Sequence, residues 1–267
     1  WFVADKIKKI SLKKIIIVLV VILFLVLSVT SYNQVKYWKN SLTLFERALQ
    51  VTKGNFIVHV VLGNELVKQG KVEDAIVHFH HALSGNANKP SDYVPLVSLA
   101  NALSLQGKKE EGIMTFKRAL TVNPKGKEAY FRLGYELFKD SRVDEAIIAY
   151  KNAIALDHEN PLFHGSLGNA YLRKGETEDA IREYETVVRI QPNNVVAHNY
   201  LVYIYLNLGK TDEAMKHFQE IIRIAPQYAD AHYRLSVILN EKGLKEKAHY
   251  HYNAAVRINP ELEKRIK

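Results

Sequence analysis

A repeat of 34 residues fills most of the chain and limits what it can fold into. Units begin near residues 93, 127, 161, 195 and 229, and a first unit, three residues longer, begins near residue 56. Periods of about 20–50 residues are typical of solenoids, in which each unit buries its apolar face only by stacking on its neighbours. The sequence therefore predicts an array of six stacked units over residues 56–262, followed by a short tail at 263–267.

Fixed columns within the repeat describe one structural unit. The eighth position is Gly, Ala or Ser in five of six copies, which lets two helices approach closely, and the twenty-fourth is always Phe or Tyr. The fifteenth position is Gly in five copies and Ser141 in the other, where a glycine after a helix supplies a left-handed C-cap. Four copies place a proline just after the second helix, which that residue cannot continue. The pattern predicts two helices per unit and no strands.

A helix-turn-helix unit of this period resembles the tetratricopeptide repeat. The resemblance implies an all-α fold in which helix pairs stack into a right-handed superhelix, with a ligand groove lined by the first helices. The three extra residues of the first unit belong to the polar segment "SGNANKPSD" (84–92). This segment forms either a longer surface turn or a hinge.

Groove positions carry amide, aromatic and cationic side chains. In this repeat family the second, fifth, sixth, ninth, twelfth and thirteenth positions generally face the ligand. Amides can bond a peptide backbone, rings can pack on it, and guanidinium groups can pair with carboxylates. We therefore predict a protein or peptide partner, and a solvated face without a ligand is the alternative. The predicted groove residues are Asn64, Lys68, Asn101, Phe131, Arg132, Tyr135, Lys139, Asn169, Arg173, Asn199, Tyr203, Tyr233 and Arg234.

An apolar run, "IIIVLVVILFLVL" (15–27), precedes the repeats. Thirteen such residues favour bilayer insertion by about 5 kcal/mol, so we predict one transmembrane helix over residues 15–32. A cleaved signal peptide and a buried soluble helix are the alternatives. Five lysines lie in the basic flank 1–14. The positive-inside rule therefore predicts a membrane protein whose flank is cytoplasmic and whose repeats are extracytoplasmic, on the periplasmic or external side.

The net charge of +9 does not indicate nucleic-acid binding. Seven lysines against one aspartate place +6 of this charge in residues 1–40, so the repeats carry only +3. A nucleic-acid footprint needs Lys and Arg clustered on one face, which the repeats do not show. We expect no nucleic-acid partner.

The sequence shows no constellation of catalytic residues. It has no cysteine, no Gly-rich phosphate loop and no Ser-His-Asp arrangement. A histidine column at the fourth repeat position (His59, His164, His198 and His232) spaces its members about one repeat apart. This is too far to share an ion at ligand distances of about 2 Å, so we interpret the column as inter-helix packing. We expect no cofactor, no metal and no catalytic site within the chain.

In the junction "YWKNSLTLFERALQVT" (37–52), the part "SLTLFERALQVT" (41–52) matches the second half of a repeat. We predict that residues 33–55 form a juxtamembrane half-repeat helix that caps the array. The order of apolar span, Trp38-Lys39-Asn40-Ser41, "LFERAL" and repeats resembles the C-terminal part of bacterial polytopic membrane glycosyltransferases. These are similar to the transmembrane tetratricopeptide O-mannosyltransferases.

The junction leaves two functional hypotheses. The first is a membrane-anchored scaffold for protein or peptide partners. The second, implied by the resemblance, is the substrate-presenting tail of such a glycosyltransferase. Its catalytic domain would precede Trp1, where we take the sequence to be a fragment or a processed chain.

Overall fold

The computed structural model describes residues 22–32, 45, 48–49, 55–83 and 89–265. The predicted basic flank 1–14, the apolar residues 15–21, the junction motif 38–41 and residues 266–267 of the predicted tail lie outside the described residues. Residues 84–88 of the polar segment also lie outside them.

Two helices form each repeat, so the predicted all-α repeat fold is confirmed. No strand occurs among residues 55–83 and 89–265. One 3₁₀ helix, Pro90–Asp92, leads into the second repeat, and another, Pro260–Arg265, follows the last one. The α-helices are α1 (Phe56–Lys68), α2 (Val72–Ala82), α3 (Tyr93–Leu105), α4 (Lys109–Val122), α5 (Lys127–Lys139), α6 (Val143–Leu156), α7 (Pro161–Lys174), α8 (Thr177–Ile190), α9 (Val195–Asn207), α10 (Thr211–Ile224), α11 (Ala229–Glu241) and α12 (Lys245–Ile258).

The chain divides into two compact units, Trp1–Lys108 and Lys109–Lys267. In the first unit α1 packs on α2, and α2 packs on α3. In the second unit each helix from α4 to α12 packs on the helix that follows it. Within each unit, consecutive helices therefore bury one another's apolar stripes, as a solenoid requires.

In the first, third and fourth repeats the helix pair closes on an aromatic ring that lies against a glycine. Tyr150 and Tyr184 are almost fully buried, and each packs on the glycine at the eighth position of its own repeat. A Cβ added at Gly134 would lie 2.8 Å from the Tyr150 ring, and one added at Gly168 would lie 2.9 Å from the Tyr184 ring. The close approach predicted for this small-residue column is confirmed.

The turn between the two helices of a repeat needs a left-handed residue. Gly175 has a φ of 86°, and its N–H donates to the Leu172 carbonyl. A residue with a Cβ is disfavoured in this conformation, which explains the predicted glycine column. In the third repeat Ser141 adopts the same conformation with a φ of 63° and must accept the steric cost.

Residues 22–32 are helical, and their apolar side chains are exposed. Phe24, for example, is 66% exposed. Within the described residues we find no helix with both the length and the apolarity needed to cross a membrane.

The segment before the first repeat contacts its core. Phe45 and Leu49 pack against the apolar cluster of α1, α2 and α3. This cluster includes Leu62 and Phe79, which are almost fully buried. Side chains from the half-repeat thus lie on the apolar surface of the first unit.

Candidate functional site

Most of the predicted groove residues lie on the surface of the first helices. Tyr135 and Tyr203 are exposed, and Asn101, Asn169 and Asn199 are half-buried. Phe131 differs, because it is 7% exposed and stacks on Phe163 with ring centroids 5.1 Å apart. Its ring belongs to the core between α5 and α7 and offers little surface to a ligand.

Acidic neighbours on the same helix pair with four of the five predicted groove cations. Arg132 Nε lies 2.7 Å from Glu128 Oε1, and Arg234 Nε lies 2.7 Å from Asp230 Oδ2. Lys68 and Lys139 lie 3.4 Å and 4.0 Å from glutamates three residues earlier. The two arginine pairs are exposed and each contributes only about 0–1 kcal/mol, whereas Glu136, the partner of Lys139, is buried. All four pairs reduce the positive charge that a ligand would meet.

Arg173 is held by the backbone instead of by a carboxylate. Its Nη1 donates to the Phe138 carbonyl at 2.6 Å, and its guanidinium lies 4.7 Å from the centre of the Phe138 ring. This contact ties α7 to α5. The predicted cationic groove is therefore largely engaged within the chain.

A cleft of about 400 Å³ opens between the fourth and fifth repeats. Its floor and walls come from α7, α8 and α9, and none of the described residues that line it is charged. Its first-helix residues occupy the second, fifth, sixth and ninth repeat positions predicted to face a ligand, together with the first and third. The lining residues are Pro161, Leu162, Gly165, Ser166, Asn169, Tyr184, Val187, Gln191, Asn194, Val196, Ala197 and Tyr200.

The cleft combines apolar surface with oriented amides: Asn194 is held by Ala197 and Gln191, and Asn169 by a tyrosine. Leu162 is 58% exposed and Val196 is 64% exposed, so both present aliphatic surface to solvent. The Tyr184 hydroxyl donates to Asn169 Oδ1 at 2.7 Å. The Tyr184 ring stacks on Tyr200 with centroids 4.7 Å apart. Such a lining suits an uncharged extended chain, with an apolar side chain against the aliphatic wall and its backbone beside the amide.

A second cleft of about 510 Å³ lies on the last repeat, between α11 and α12. It contains the predicted residue Tyr233, but Glu241, Lys245 and His249 also line it. Its charges of both signs distinguish it from the cleft between the fourth and fifth repeats.

The histidine column packs against the second helix of its own repeat, as the sequence predicted. His59, His198 and His232 place Nδ1 within 2.9–3.0 Å of a second histidine, 19 residues later in the chain. The partner of His164 is Glu183, whose Oε2 lies 2.6 Å from Nδ1. Sequence reasoning missed these pairs because it compared histidines at the fourth position of different repeats, and not the fourth and twenty-third positions of one repeat.

Backbone carbonyls orient three of the column histidines, because Nε2 of His164, His198 and His232 donates to a carbonyl six residues earlier. His198 Nε2 donates to the Pro192 carbonyl at 3.1 Å, and its Nδ1 lies 2.9 Å from Nδ1 of His217. Burial, and then the neighbouring His198, lower the pKa of His217 to about 4. His217 is therefore neutral near pH 7. Among the described residues no group of three or more His, Asp or Glu side chains is placed to hold a metal ion.

Comparison with known families identifies the repeat. One family model, described as a TPR repeat, matches residues 134–175, and two described as tetratricopeptide repeats match residues 95–125 and 166–229. The repeats within residues 95–125 and 134–229 are tetratricopeptide repeats. No curated protein matches the chain.

Solved structures share the tetratricopeptide fold. A tetratricopeptide protein from Cytophaga hutchinsonii aligns with a TM-score of 0.70 at 17% identity, over 82% of this chain and 89% of that one. YrrB, described as having an unusual peptide-binding site, aligns with a TM-score of 0.56 at 25% identity, over 68% of this chain and 92% of its own. MamA from Desulfovibrio magneticus RS-1 aligns with a TM-score of 0.59 at 19% identity, over 66% and 99% of the two chains.

These comparisons support a tetratricopeptide fold suited to protein or peptide binding. They do not support the predicted relationship to membrane glycosyltransferases, which rests on the junction sequence alone.

Proposed function

We propose that the chain is a membrane-anchored tetratricopeptide scaffold that binds an extended peptide segment on the surface of its first helices. The cleft between the fourth and fifth repeats carries this proposal. It places exposed aliphatic side chains beside an oriented carboxamide, at repeat positions where the family's ligands generally lie.

The cleft supplies what a peptide of this kind requires. Its volume of about 400 Å³ accommodates one or two side chains, and burying the exposed Leu162 and Val196 would contribute hydrophobic free energy. The Asn169 amide offers a hydrogen bond to a main-chain carbonyl. Other groove residues, such as Tyr203, would extend the contact along the array.

A peptide display experiment tests this proposal. A random library is selected on the purified full chain, and the binding of the enriched peptides is measured by fluorescence anisotropy. Leu162→Asp and Val196→Asp should each weaken binding at least tenfold, because each buries a charge against the peptide. The control is Ile148→Asp on α6, where the side chain is 61% exposed but does not line the cleft.

Binding that survives both cleft variants, or that fails equally with Ile148→Asp, would exclude this cleft as the peptide site. Circular dichroism of each variant shows that the helices are retained.

We further propose that the apolar run 15–32 spans the membrane and that the repeats lie outside the cytoplasm. Its length and composition support this, and its described part, residues 22–32, is helical with exposed apolar side chains. The full chain expressed in a bacterium should remain in the membrane fraction after alkaline washing. Protease added from outside, after permeabilising any outer membrane, should digest residues 56–267. Extraction into the alkaline wash, or repeats protected from protease, would contradict the anchor or its orientation respectively.

The half-repeat is proposed as the N-terminal cap of the array. The packing of Phe45 and Leu49 on the core of the first unit supports this. Without such a cap, the apolar face of α1 would meet solvent.

The glycosyltransferase alternative stays a prediction from the junction motif. The complete reading frame tests it: several apolar spans before Trp1 would favour the enzyme, and a short start would favour the scaffold.

A further inference from the structure

The fourth repeat differs from the other repeats in how it holds its groove amide. Three repeats have Asn at the ninth position: Asn64, Asn101 and Asn169. At the twenty-fourth position, two of those three have phenylalanine, and only the fourth has tyrosine. Only the fourth repeat therefore combines Asn at the ninth position with a tyrosine hydroxyl at the twenty-fourth.

Packing of the Tyr184 ring holds its hydroxyl beside Asn169. The ring is 2% exposed, lies against Gly168 and stacks on Tyr200. Burial raises the pKa of Tyr184, so the hydroxyl stays protonated and donates to Asn169 Oδ1. With its oxygen held inward, the Asn169 carboxamide presents its Nδ2–H groups to the cleft.

The carboxamide has donor capacity to spare. Among the described residues, no protein group accepts a hydrogen bond from Asn169 Nδ2, while its oxygen is occupied by Tyr184. An Asn side chain whose oxygen is already hydrogen-bonded offers only its N–H donors to a ligand, so it recognises an acceptor such as a main-chain carbonyl. A freely rotating Asn would offer a donor and an acceptor equally.

The residues around Asn169 determine which ligand side chain can lie beside the main-chain carbonyl. Leu162, Val196 and Pro161 supply aliphatic surface, while Ser166, Gln191 and Asn194 are polar but uncharged. A charged side chain of the ligand would lose hydration here without meeting an opposite charge from a described lining residue. The cleft therefore disfavours ligands with charged side chains, in addition to favouring ligands with apolar ones.

We propose that Tyr184 is a positioning residue that orients Asn169, so that this cleft selects an extended peptide segment carrying an uncharged, apolar side chain beside a main-chain carbonyl acceptor. This inference rests on the proposed function, because it specifies the ligand of the same cleft. Tyr184 acts through Asn169 and does not itself contact the ligand's acceptor.

A double-mutant cycle on the full chain tests the inference, using peptides enriched from the random library. Tyr184→Phe keeps the ring and removes the hydroxyl, and it should weaken binding about fivefold, the value of one net hydrogen bond. In the Asn169→Ala background the same substitution should have no further effect, because its target is gone. Tyr150→Phe is the matched control, since Tyr150 occupies the same repeat position but has Tyr135 at the ninth position.

The enriched peptides supply the second measurement. We expect them to share one apolar residue flanked by uncharged ones. Enrichment of acidic or basic residues would overturn the inference. So would a Tyr184→Phe effect that persists in the Asn169→Ala background, or that Tyr150→Phe reproduces.

The two proposals fail in different ways. If binding of the enriched peptides does not depend on Leu162 or Val196, the proposed function is wrong and this inference fails with it. If binding requires Leu162 and Val196 but ignores Tyr184, only the positioning role is wrong.

Discussion

Two glycines on one helix should respond oppositely to the same substitution. Gly165 and Gly168 both lie on α7, three residues apart. A Cβ at Gly165 would lie 3.9 Å from Val187 Cγ2, an ordinary van der Waals contact. A Cβ at Gly168 would lie 2.9 Å from Tyr184 Cε2 and 3.1 Å from Cζ, closer than the ring allows.

The magnitudes follow from two opposing terms. Replacing Gly by Ala within a helix stabilises it by about 1 kcal/mol through propensity. At Gly168 the ring cannot retreat, because it is buried, stacked on Tyr200 and hydrogen-bonded to Asn169. Overpacking of this kind costs about 1–3 kcal/mol. Gly165→Ala should therefore stabilise the protein by up to about 1 kcal/mol, and Gly168→Ala should destabilise it by up to about 2 kcal/mol.

Urea unfolding followed by circular dichroism at 222 nm measures both variants. The difference between their free energies of unfolding cancels the propensity term and isolates the packing cost, about 1–3 kcal/mol. Equal m-values show that both variants unfold in the same way as the parent chain. If Gly168→Ala stabilised the chain as much as Gly165→Ala, the close packing of glycine on tyrosine would not hold this repeat together.

Three further predictions concern a turn, a histidine pair and the cap. Ser141→Gly should raise the free energy of unfolding by up to about 1 kcal/mol, because a left-handed residue loses its Cβ, whereas Gly175→Ser should lower it; urea unfolding checks both. Burial lowers the pKa of His217 to about 4 in the folded chain, so the unfolded chain takes up this proton first. The stability that His217 contributes is therefore complete above about pH 6.5 and is lost as the pH falls towards 4. The loss is about 1–2 kcal/mol after allowing for partial exposure. His217→Asn should weaken the pH dependence of the urea unfolding midpoint across this range. Leu49→Ala should speed amide hydrogen exchange in α1, since it removes apolar contact from the first unit; unchanged exchange would argue against the cap.

The regular parts of the repeat could be predicted from its sequence. The columns of small and aromatic residues correspond to contacts such as Gly134 on Tyr150, and the glycine column corresponds to the left-handed turns. These features recur with the period of the fold: the aromatic column is present in all six copies, and the small-residue and glycine columns in five of six. The exception at Ser141 shows that the backbone conformation persists when the residue changes.

The candidate site was predicted less completely because its contacts do not follow the columns. Arg132 and Arg234 fall at groove positions, but acidic residues four places earlier on the same helix pair with them. Phe131 also falls at a groove position, and its stacking on Phe163 places it in the core. Neighbouring side chains therefore decide whether a residue at a groove position is available to a ligand. The repeat position alone does not identify those neighbours.

The Asn169–Tyr184 contact could have been predicted from the sequence by comparing two repeat positions. The two residues are 15 positions apart, and only a comparison of two columns within each repeat reveals that the fourth repeat combines amide and hydroxyl. The histidine pairs were missed in the same way, since their signal is a spacing of 19 residues between two helices. In a helical repeat, pairs of columns on facing helices carry information that single columns do not.

Site-specific photocrosslinking tests the central claim most directly. A photoreactive amino acid is placed at position 162, on the wall of the cleft, or at position 148, where the side chain is equally exposed but does not line it. A peptide enriched on the full chain is added and the sample is irradiated. The account predicts a covalent adduct from position 162 and none from position 148. An adduct from position 148 with none from position 162 would contradict a peptide site between the fourth and fifth repeats.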